Sequence, residues 1–276
     1  MNSEIKLIAL DLDDTTLRSD STLAPETEAA IKAAIDAGIE VVVASGRAYS
    51  SLPGAVLGIP GIRYAISSNG AAIEKVPSGE RIVNFCLKPE AVESIIEIFD
   101  GEMFEAFIAG QPYTDKKYMD DPLRFGCSPA YVDYVKTTRK PVEDMLYFMR
   151  ENNEKLDSID VICQHPENKA ALYERAKSIP GVYATSSTKR LIELADENAG
   201  KGASLRRLCE ILGIQAQNVA AFGNGDNDAD MLSFARLGVA VKNAWPACLA
   251  AADYVCESND DLGVAKTVYK ILNDEI

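Results

Sequence analysis

The chain has 276 residues, 47% of them hydrophobic and 25% charged, enough for one large globular domain or two smaller ones. Its 28 basic and 42 acidic residues give a formal net charge of −14, so we expect no nucleic-acid or membrane partner. The single histidine, His165, excludes sites that need two imidazole ligands. Any chemistry must rest on carboxylates, amides, hydroxyls and lysine.

The six cysteines lie far apart and form no Cys-x-x-Cys pair, which is typical of buried, reduced thiols. The N-terminal residues resemble neither a signal peptide nor a membrane span. We therefore expect a cytoplasmic protein. The sequence does not indicate an oligomeric state.

The first predicted elements form a β-α-β unit. Residues 5–10 are almost wholly apolar, which predicts a strand buried on both faces at the centre of a parallel sheet. Pro25 and Gly38 mark the start and end of a helix, and residues 39–44 predict the next strand. Short links between these elements imply a right-handed crossover. A third strand is predicted from residue 63 to the Asn-Gly turn that ends at residue 70.

The pattern changes near residue 80. Apolar and polar residues then alternate, as in 81–85 and 158–162, and helices are predicted near 89–100 and 166–178. These features indicate an inserted α+β domain.

The alternation of strands and helices returns near residue 201, with a helix to residue 212 and short strands at 219–222, 237–241 and 252–255. We predict an α/β fold with a doubly wound, mostly parallel sheet formed by residues 1–80 and 190–276. Residues 81–189 are predicted to form the inserted domain.

The first candidate site is Asp11-Leu12-Asp13-Asp14-Thr15, directly after the first strand. The two-residue period of a strand places Asp11 and Asp13 on the same side. Two crowded carboxylates repel each other unless a cation or a shared proton lies between them. Ligands bind at this carboxyl edge in open α/β sheets. The alternative is an acidic loop that only caps the next segment.

Two further segments suit an anion. Ser45-Gly46-Arg47 supplies a hydroxyl and free backbone N–H groups for a phosphate oxygen, although an ordinary serine cap has the same pattern. Lys201-Gly202 lies at a predicted helix entrance, where a lysine is unfavourable unless an anion lies beside it. A solvated lysine is the alternative.

The fourth segment is Gly223-Asn224-Gly225-Asp226-Asn227-Asp228-Ala229-Asp230, after another predicted strand. Carboxylate and amide oxygens in tight turns are ligands that Mg²⁺ prefers, and a solvated acidic turn is the alternative. The early glycine and the missing closing glutamate do not fit an EF-hand. All four segments are expected to meet at one edge of the sheet.

Four motifs follow one another in the chain: hhhhDxDxT and hhhhSGR, in which h is an apolar residue, and then Lys-Gly and GNGDNDxxML. Their order resembles that of the haloacid dehalogenase superfamily, specifically the Cof-type phosphatases with a class IIB-type cap. The resemblance covers the whole chain, with Ser68-Asn69-Gly70-Ala71 at the entry to the cap. It implies a Mg²⁺-dependent phosphatase of small phosphorylated metabolites, such as sugar phosphates or phosphorylated cofactors.

The resemblance also implies residue roles. Asp11 is then the nucleophile that forms an aspartyl-phosphate, and Asp13 protonates the leaving oxygen and later takes a proton from water. The implied phosphoryl-binding residues are Ser45, Gly46, Lys201 and Asn227. The implied Mg²⁺ ligands are Asp11, Asp13 through its backbone carbonyl, Asn224 and Asp228.

One position departs from the family pattern Gly-Asp-x-x-Asn-Asp, because Asn224 occupies the place of the first aspartate. An amide oxygen binds Mg²⁺ without a charge, which predicts weaker binding unless Asp226 or Asp228 compensates. We favour the register in which Asn224 and Asp228 complete the metal site over one that begins at Asp226.

Two other functions remain open from the sequence. A sugar phosphomutase of the same superfamily forms the same aspartyl-phosphate but returns the phosphoryl group to a sugar hydroxyl. A non-catalytic phosphometabolite-binding protein is the second alternative, although it has no need of Asp13 as a general acid. The cap is expected to close over the site and select the leaving group. No role is assigned to its residues Tyr113, Tyr118, Arg124 and His165.

Overall fold

The structure is a computed structural model that describes residues 5–276, apart from the side chain of Ala130. Its strands, in chain order, are β1 (Leu7–Leu10), β2 (Glu40–Ala44), β3 (Tyr64–Ser67), β4 (Ala72–Lys75), β5 (Arg81–Asn84), β6 (Met103–Ile108), β7 (Gln111–Asp115), β8 (Lys140–Val142), β9 (Leu156–Ile162), β10 (Val182–Thr185), β11 (Leu191–Asp196), β12 (Val219–Gly223), β13 (Leu237–Val241) and β14 (Tyr254–Cys256). Its helices are α1 (Pro25–Asp36), α2 (Gly54–Leu57), α3 (Pro89–Ile98), α4 (Lys116–Asp120), α5 (Val132–Thr138), α6 (Met145–Glu151), α7 (Lys169–Lys177), α8 (Lys201–Leu212), α9 (Ala229–Phe234), α10 (Pro246–Ala251) and α11 (Gly263–Leu272).

The first sheet has the strand order β14-β13-β12-β1-β2-β3-β4-β5. Parallel pairing extends from β1 through β2 to β3 on one side and through β12 and β13 to β14 on the other. The strands β4 and β5 add an antiparallel edge. The predicted doubly wound, mostly parallel sheet and the central position of its first strand are therefore confirmed.

The helices around this sheet cover both of its faces. Ile8 and Leu10 of β1 pack into a core with α1 and α11, whereas Leu7 and Ala9 pack into a second core with α8, α9 and α10. A strand buried on both faces has no polar side to present, which explains the continuous apolar run in its sequence.

The second sheet has the order β10-β11-β9-β6-β7-β8 and is antiparallel except for the β7–β8 pair. Alternate residues such as Phe104 and Ile159 pack against α3, α6 and α7 in a separate apolar core. The intervening residues, which include Glu105 and Asp160, point to the opposite face because side chains alternate along a strand. This sheet and its helices form the expected α+β insert, the cap.

The chain passes between the two sheets later than the predicted divisions at residues 80/81 and 189/190. The prediction put β5 in the cap, but it pairs with β4 in the first sheet. It put β11 in the core, but it pairs with β9 and β10 in the second sheet. We propose boundaries after residues 84 and 196. An alternating strand fits the edge of either sheet, so local sequence does not specify its partner.

Two properties of the whole chain bear on earlier expectations. Within residues 5–276, no helix is both long and apolar enough to cross a membrane. All six cysteines are free thiols. Cys86 and Cys127 are only half-buried, whereas the other four are buried as predicted.

Candidate active site

Three of the motifs lie at the carboxyl edge of the first sheet. Asp11, Ser45 and Asn224 follow the neighbouring strands β1, β2 and β12, and the parallel pairing of these strands brings their ends together. The Asp11 amide donates to the Phe222 carbonyl at 3.0 Å, so the sheet holds Asp11 one residue beyond β1. The chain then turns at Asp14, whose φ of 54° is left-handed.

Lys201 lies between two carboxylates. Its Nζ is 2.7 Å from Asp11 Oδ1 and 2.6 Å from Asp228 Oδ1, and all three side chains are buried. Burial lowers the pKa of the Lys201 ammonium, but the two carboxylates more than offset this effect, so its pKa is raised. Lys201 is therefore a fixed cation at the base of the site.

The position of Lys201 depends on a close approach between the turn that joins β3 to β4 and the segment that precedes α8. Gly70 has a φ of 87°, and a β-carbon there would overlap the Gly200 carbonyl. The Gly200 amide donates to the Asn69 carbonyl at 2.9 Å, and the Ser204 hydroxyl donates to the Gly70 carbonyl at 2.6 Å. These contacts start α8 at Lys201, beside Asp11.

Asp228 has a hydrogen-bond donor for each of its carboxylate oxygens. Oδ1 accepts from Lys201, and Oδ2 accepts from the backbone amides of Asn224 at 2.9 Å and Gly225 at 2.8 Å. Asp228 thus orders the loop that carries Asn224. Its predicted role as a metal ligand stays a prediction.

One carboxylate oxygen of Asp11 has no partner among residues 5–276. This buried Oδ2 accepts no hydrogen bond from them, and Asp11, Asp13 and Asn224 line one cavity. Burial and the Asp228 carboxylate raise the pKa of Asp11 to about 7, although Lys201 opposes them. A cation at Oδ2 would relieve both effects.

The oxygen atoms of Asp11, Asp13 and Asn224 fit Mg²⁺, which prefers carboxylate, amide and carbonyl oxygens. Among residues 5–276, no three His, Cys, Asp or Glu side chains are placed to hold a metal together. The predicted ligands at this edge are accordingly of mixed kinds, namely the Asp11 and Asp228 carboxylates, the Asn224 amide and the Asp13 backbone carbonyl.

Asp13 is bound by Arg47, the last residue of the Ser-Gly-Arg motif. Arg47 Nε is 2.8 Å from Asp13 Oδ2, and Nη2 is 2.5 Å from Oδ1. The Arg47 guanidinium also lies 4.5 Å from the ring centroid of Tyr134, on the cap helix α5. No role was predicted from the sequence for Arg47 or Tyr134. The only indication of Arg47 was its place in the Ser-Gly-Arg motif.

Ser45 and Gly46 pack close to the cap. The buried Ser45 hydroxyl accepts from the Arg47 amide at 3.1 Å, and the Ser45 carbonyl accepts from the Asn69 amide at 3.1 Å. A β-carbon at Gly46 would lie 3.2 Å from the side chains of Asn69 and Glu193. The absence of a side chain there allows β11 of the cap to approach the site.

Asn227 connects the core to the cap through one intermediate side chain. Asn227 Nδ2 donates to Asn69 Oδ1 at 2.9 Å, and Asn69 Nδ2 donates to Glu193 Oε1 at 3.0 Å. The sequence identified Asn69 only as part of a turn, because the partners that define its role are 124 and 158 residues away.

A cavity of about 420 Å³ lies between the two sheets. Core residues Asp11, Asp13 and Gly46 line one side, and Glu105 and Asp160 of the cap line the other. Tyr118 also lines it, whereas His165 is largely exposed. Sequence reasoning missed the cap acids, although their alternation with apolar residues was visible.

Comparison with known proteins agrees with this arrangement. A family model described as haloacid dehalogenase-like hydrolase matches residues 8–268. Two relatives are named 5-amino-6-(5-phospho-D-ribitylamino)uracil phosphatase: YbjI of Escherichia coli, 31% identical over 98% of this chain and 97% of its own, and YwtE of Bacillus subtilis, 28% identical over 98% and 99%.

A solved structure of a haloacid dehalogenase-like hydrolase from B. subtilis superimposes with a TM-score of 0.83. It is 29% identical and covers 96% of this chain and 99% of its own. The resemblance inferred from the ordered motifs is thus confirmed. The chain belongs to the haloacid dehalogenase-like hydrolase family and is a phosphatase of that family.

Proposed function

We propose that the chain hydrolyses phosphomonoesters of small metabolites through an aspartyl-phosphate on Asp11, with Mg²⁺ as cofactor. The observation that carries this proposal is the Asp11 carboxylate, which lines the cavity with Oδ2 unpartnered while Lys201 holds Oδ1. Two relatives are named for a phosphoribityl substrate, which is a small phosphorylated metabolite.

The reaction has two balanced steps. Asp11 attacks phosphorus and forms an O–P bond, the ester P–O bond breaks, and Asp13 gives a proton to the leaving alcohol oxygen. Water then attacks phosphorus, Asp13 takes its proton, and the bond to Asp11 breaks to release phosphate. Asp13 must separate from Arg47 to exchange protons, so substrate binding is expected to open this ion pair.

Positive charge is essential because a carboxylate must approach an anionic phosphoryl group. Lys201 offsets that repulsion from below Asp11, and Ser45, Gly46 and Asn227 orient the phosphoryl oxygens. Asp11, the Asp13 carbonyl, Asn224 and Asp228 would hold Mg²⁺. When bound, the ion supplies charge stabilisation to the transferring phosphoryl group. Asp228 positions Lys201 and the Asn224 loop.

Phosphate release from p-nitrophenyl phosphate tests the proposal. We expect Mg²⁺-dependent turnover by the wild type without a bisphosphate activator, and a loss of at least about 10³-fold for Asp11→Asn because the nucleophile is removed. Asp13→Ala should also lose most activity. Asp20→Asn is the control, because Asp20 is exposed and its carboxylate accepts hydrogen bonds from the exposed Thr22. Equal turnover by wild type and Asp11→Asn would refute the proposal.

The covalent step has its own test. Fluoride complexes of beryllium or aluminium imitate a phosphoryl group on a carboxylate, so they should inhibit the wild type in the presence of Mg²⁺. Full activity in their presence would contradict covalent catalysis at Asp11.

A further inference from the structure

Three acids form a row across the cap sheet. Glu105 of β6 and Glu193 of β11 are each directly opposite Asp160 of β9, so the three side chains lie on one face. All three are buried, between 2% and 6% exposed, and all three line the cavity that contains Asp11.

The three acids differ in their partners. Glu105 receives two hydrogen bonds from Arg139, at 3.0 and 2.7 Å. Asp160 receives none from the described part of the chain, and Glu193 Oε2 is buried without a partner. Burial and the neighbouring carboxylates of Glu193 and Glu105 raise the pKa of Asp160 well above its usual value, against the effect of Arg139.

This arrangement is costly for the protein without a ligand. Like charges directly opposite each other across a sheet are destabilising, and a buried carboxylate without a donor loses its hydration without replacement. The acceptor oxygens on Asp160 and Glu193 suit a ligand that brings donors. Glu193 is also close to Gly46 and bonded to Asn69, so the row begins beside the phosphoryl site.

The arginines that line the same cavity already bind other groups. Arg47 is bound to Asp13 and Arg139 to Glu105, and Arg190 donates to the carbonyls of Cys163 and Gln164. Lys189 is exposed. Within residues 5–276, no cation is therefore bonded to Asp160 or Glu193.

We propose that Asp160 and Glu193 bind the leaving group of the substrate through its hydrogen-bond donors, hydroxyl or ammonium, and that they exclude leaving groups carrying a carboxylate. This inference rests on the proposed phosphatase function and deepens it. A donor-rich chain supplies partners for the free oxygens of Asp160 and Glu193, whereas a carboxylate brings only acceptors and adds negative charge beside them.

Three open-chain six-carbon phosphate esters that differ only at carbon 1 test the inference. They are sorbitol 6-phosphate with a hydroxyl, 1-amino-1-deoxysorbitol 6-phosphate with an ammonium, and 6-phosphogluconate with a carboxylate. We expect kcat/KM of the wild type to be at least about tenfold higher for the first two than for the third. The order of the first two shows whether the acids serve a polyol or a cation.

Asp160→Asn and Glu193→Gln preserve shape while removing charge. Each should reduce the discrimination against 6-phosphogluconate about tenfold. Asp160→Asn should also raise the Tm of the free protein by about 2 °C or more, because it removes the unpaired buried acid. A purely structural acid would not give a higher Tm together with poorer discrimination. Glu40→Gln is the matched control, since Glu40 is a buried acid paired with Arg63 outside the cavity.

The possible failures can be separated. Lack of any hydrolysis of p-nitrophenyl phosphate by the wild type would remove the proposed function, and this inference with it. If the wild type hydrolyses that ester but shows no preference among the three six-carbon phosphate esters, or prefers 6-phosphogluconate, the inference alone is overturned. A preference that persists in Asp160→Asn and Glu193→Gln would also overturn it.

Discussion

Two pairs of buried acids, one in the core and one in the cap, differ in their partners, and the cavity is lined by Asp11 of the first pair and by both members of the second. On the core side, Asp11 and Asp228 share the ammonium of Lys201 at 2.7 and 2.6 Å. On the cap side, Asp160 and Glu193 form no ion pair within the described residues. The core pair is therefore neutralised in part before substrate arrives, whereas the cap pair is not.

The difference shows how one cavity can receive the two ends of a substrate with opposite requirements. The phosphoryl end is anionic, so the chain supplies Lys201 as a built-in cation. The other end meets Asp160 and Glu193, whose free carboxylate oxygens favour a group that supplies hydrogen-bond donors. The two ends of the cavity differ in how their acids are paired with cations, rather than in the number of acids.

The largest expected effect comes from removing the cation of the core pair. Lys201→Met leaves two buried carboxylates facing each other, so we expect the free energy of unfolding to fall by about 3–5 kcal/mol. We also expect kcat to fall about 10²–10³-fold, since the charge opposite the phosphoryl group is lost. Urea denaturation and phosphate release measure the two effects.

Lys32→Met is the control for that variant, because Lys32 is an exposed lysine paired with Glu28 on α1. Its stability should change by less than about 0.5 kcal/mol. Similar stabilities for the two variants would mean that the core pair does not depend on Lys201, and the contrast with the cap pair would disappear.

An intermediate effect is expected from adding an unpaired acid to the core side. Asn224→Asp places a carboxylate beside Asp11, so the dissociation constant for Mg²⁺ should fall about tenfold by calorimetry. The Tm without Mg²⁺ should fall, because the new charge then has no partner. Asn273→Asp, at the exposed end of α11, should leave the dissociation constant for Mg²⁺ unchanged. Unchanged Mg²⁺ binding in Asn224→Asp would argue against Asn224 as a ligand.

The last comparison concerns a third pair of acids, at the junction of the two sheets. Arg81 Nη1 and Nη2 contact Asp157 of β9 at 2.7 and 2.6 Å, whereas Glu74 of β4 lies 3.5 Å from Arg81 Nε. Burial raises the pKa of Glu74 to about 7, with the Ser67 hydroxyl and Arg81 opposing it. Glu74 is thus the less satisfied member of this pair.

A raised pKa means that the folded protein retains the Glu74 proton at pH values where the unfolded chain has lost it. The free energy of unfolding that this group contributes is present below about pH 4.5 and falls until about pH 7. Glu74→Gln should therefore stabilise the protein more at pH 8 than at pH 4.5, by roughly 2 kcal/mol. Thermal unfolding at the two values measures this difference.

Glu80→Gln is the matched control in the same hairpin, because Glu80 is exposed and pairs with the exposed Lys75. The stability change caused by Glu80→Gln should not increase between pH 4.5 and pH 8. An equal stabilisation by Glu74→Gln at both pH values would contradict the assignment of the pH dependence to this carboxyl.

The predictable part of the site consists of residues fixed by local sequence. Asp11, Ser45 and Asn224 could be placed together because each follows an apolar run of one parallel sheet, and parallel strands end at a common edge. Lys201 was identified by its unusual charge at a helix start. Asn69, Arg47 and the acid row could not be assigned in this way, since their partners come from distant segments.

The sequence by itself determined the two kinds of sheet and the sheet edge at which the candidate site lies, because strand periodicity and strand ends are local properties. The tertiary structure decided which sheet β5 and β11 join, which acids share a cation and which do not. Those outcomes depend on side chains brought together from residues 69, 105, 160, 193 and 201, and the free energy of a buried charge is set by such neighbours rather than by its place in the chain.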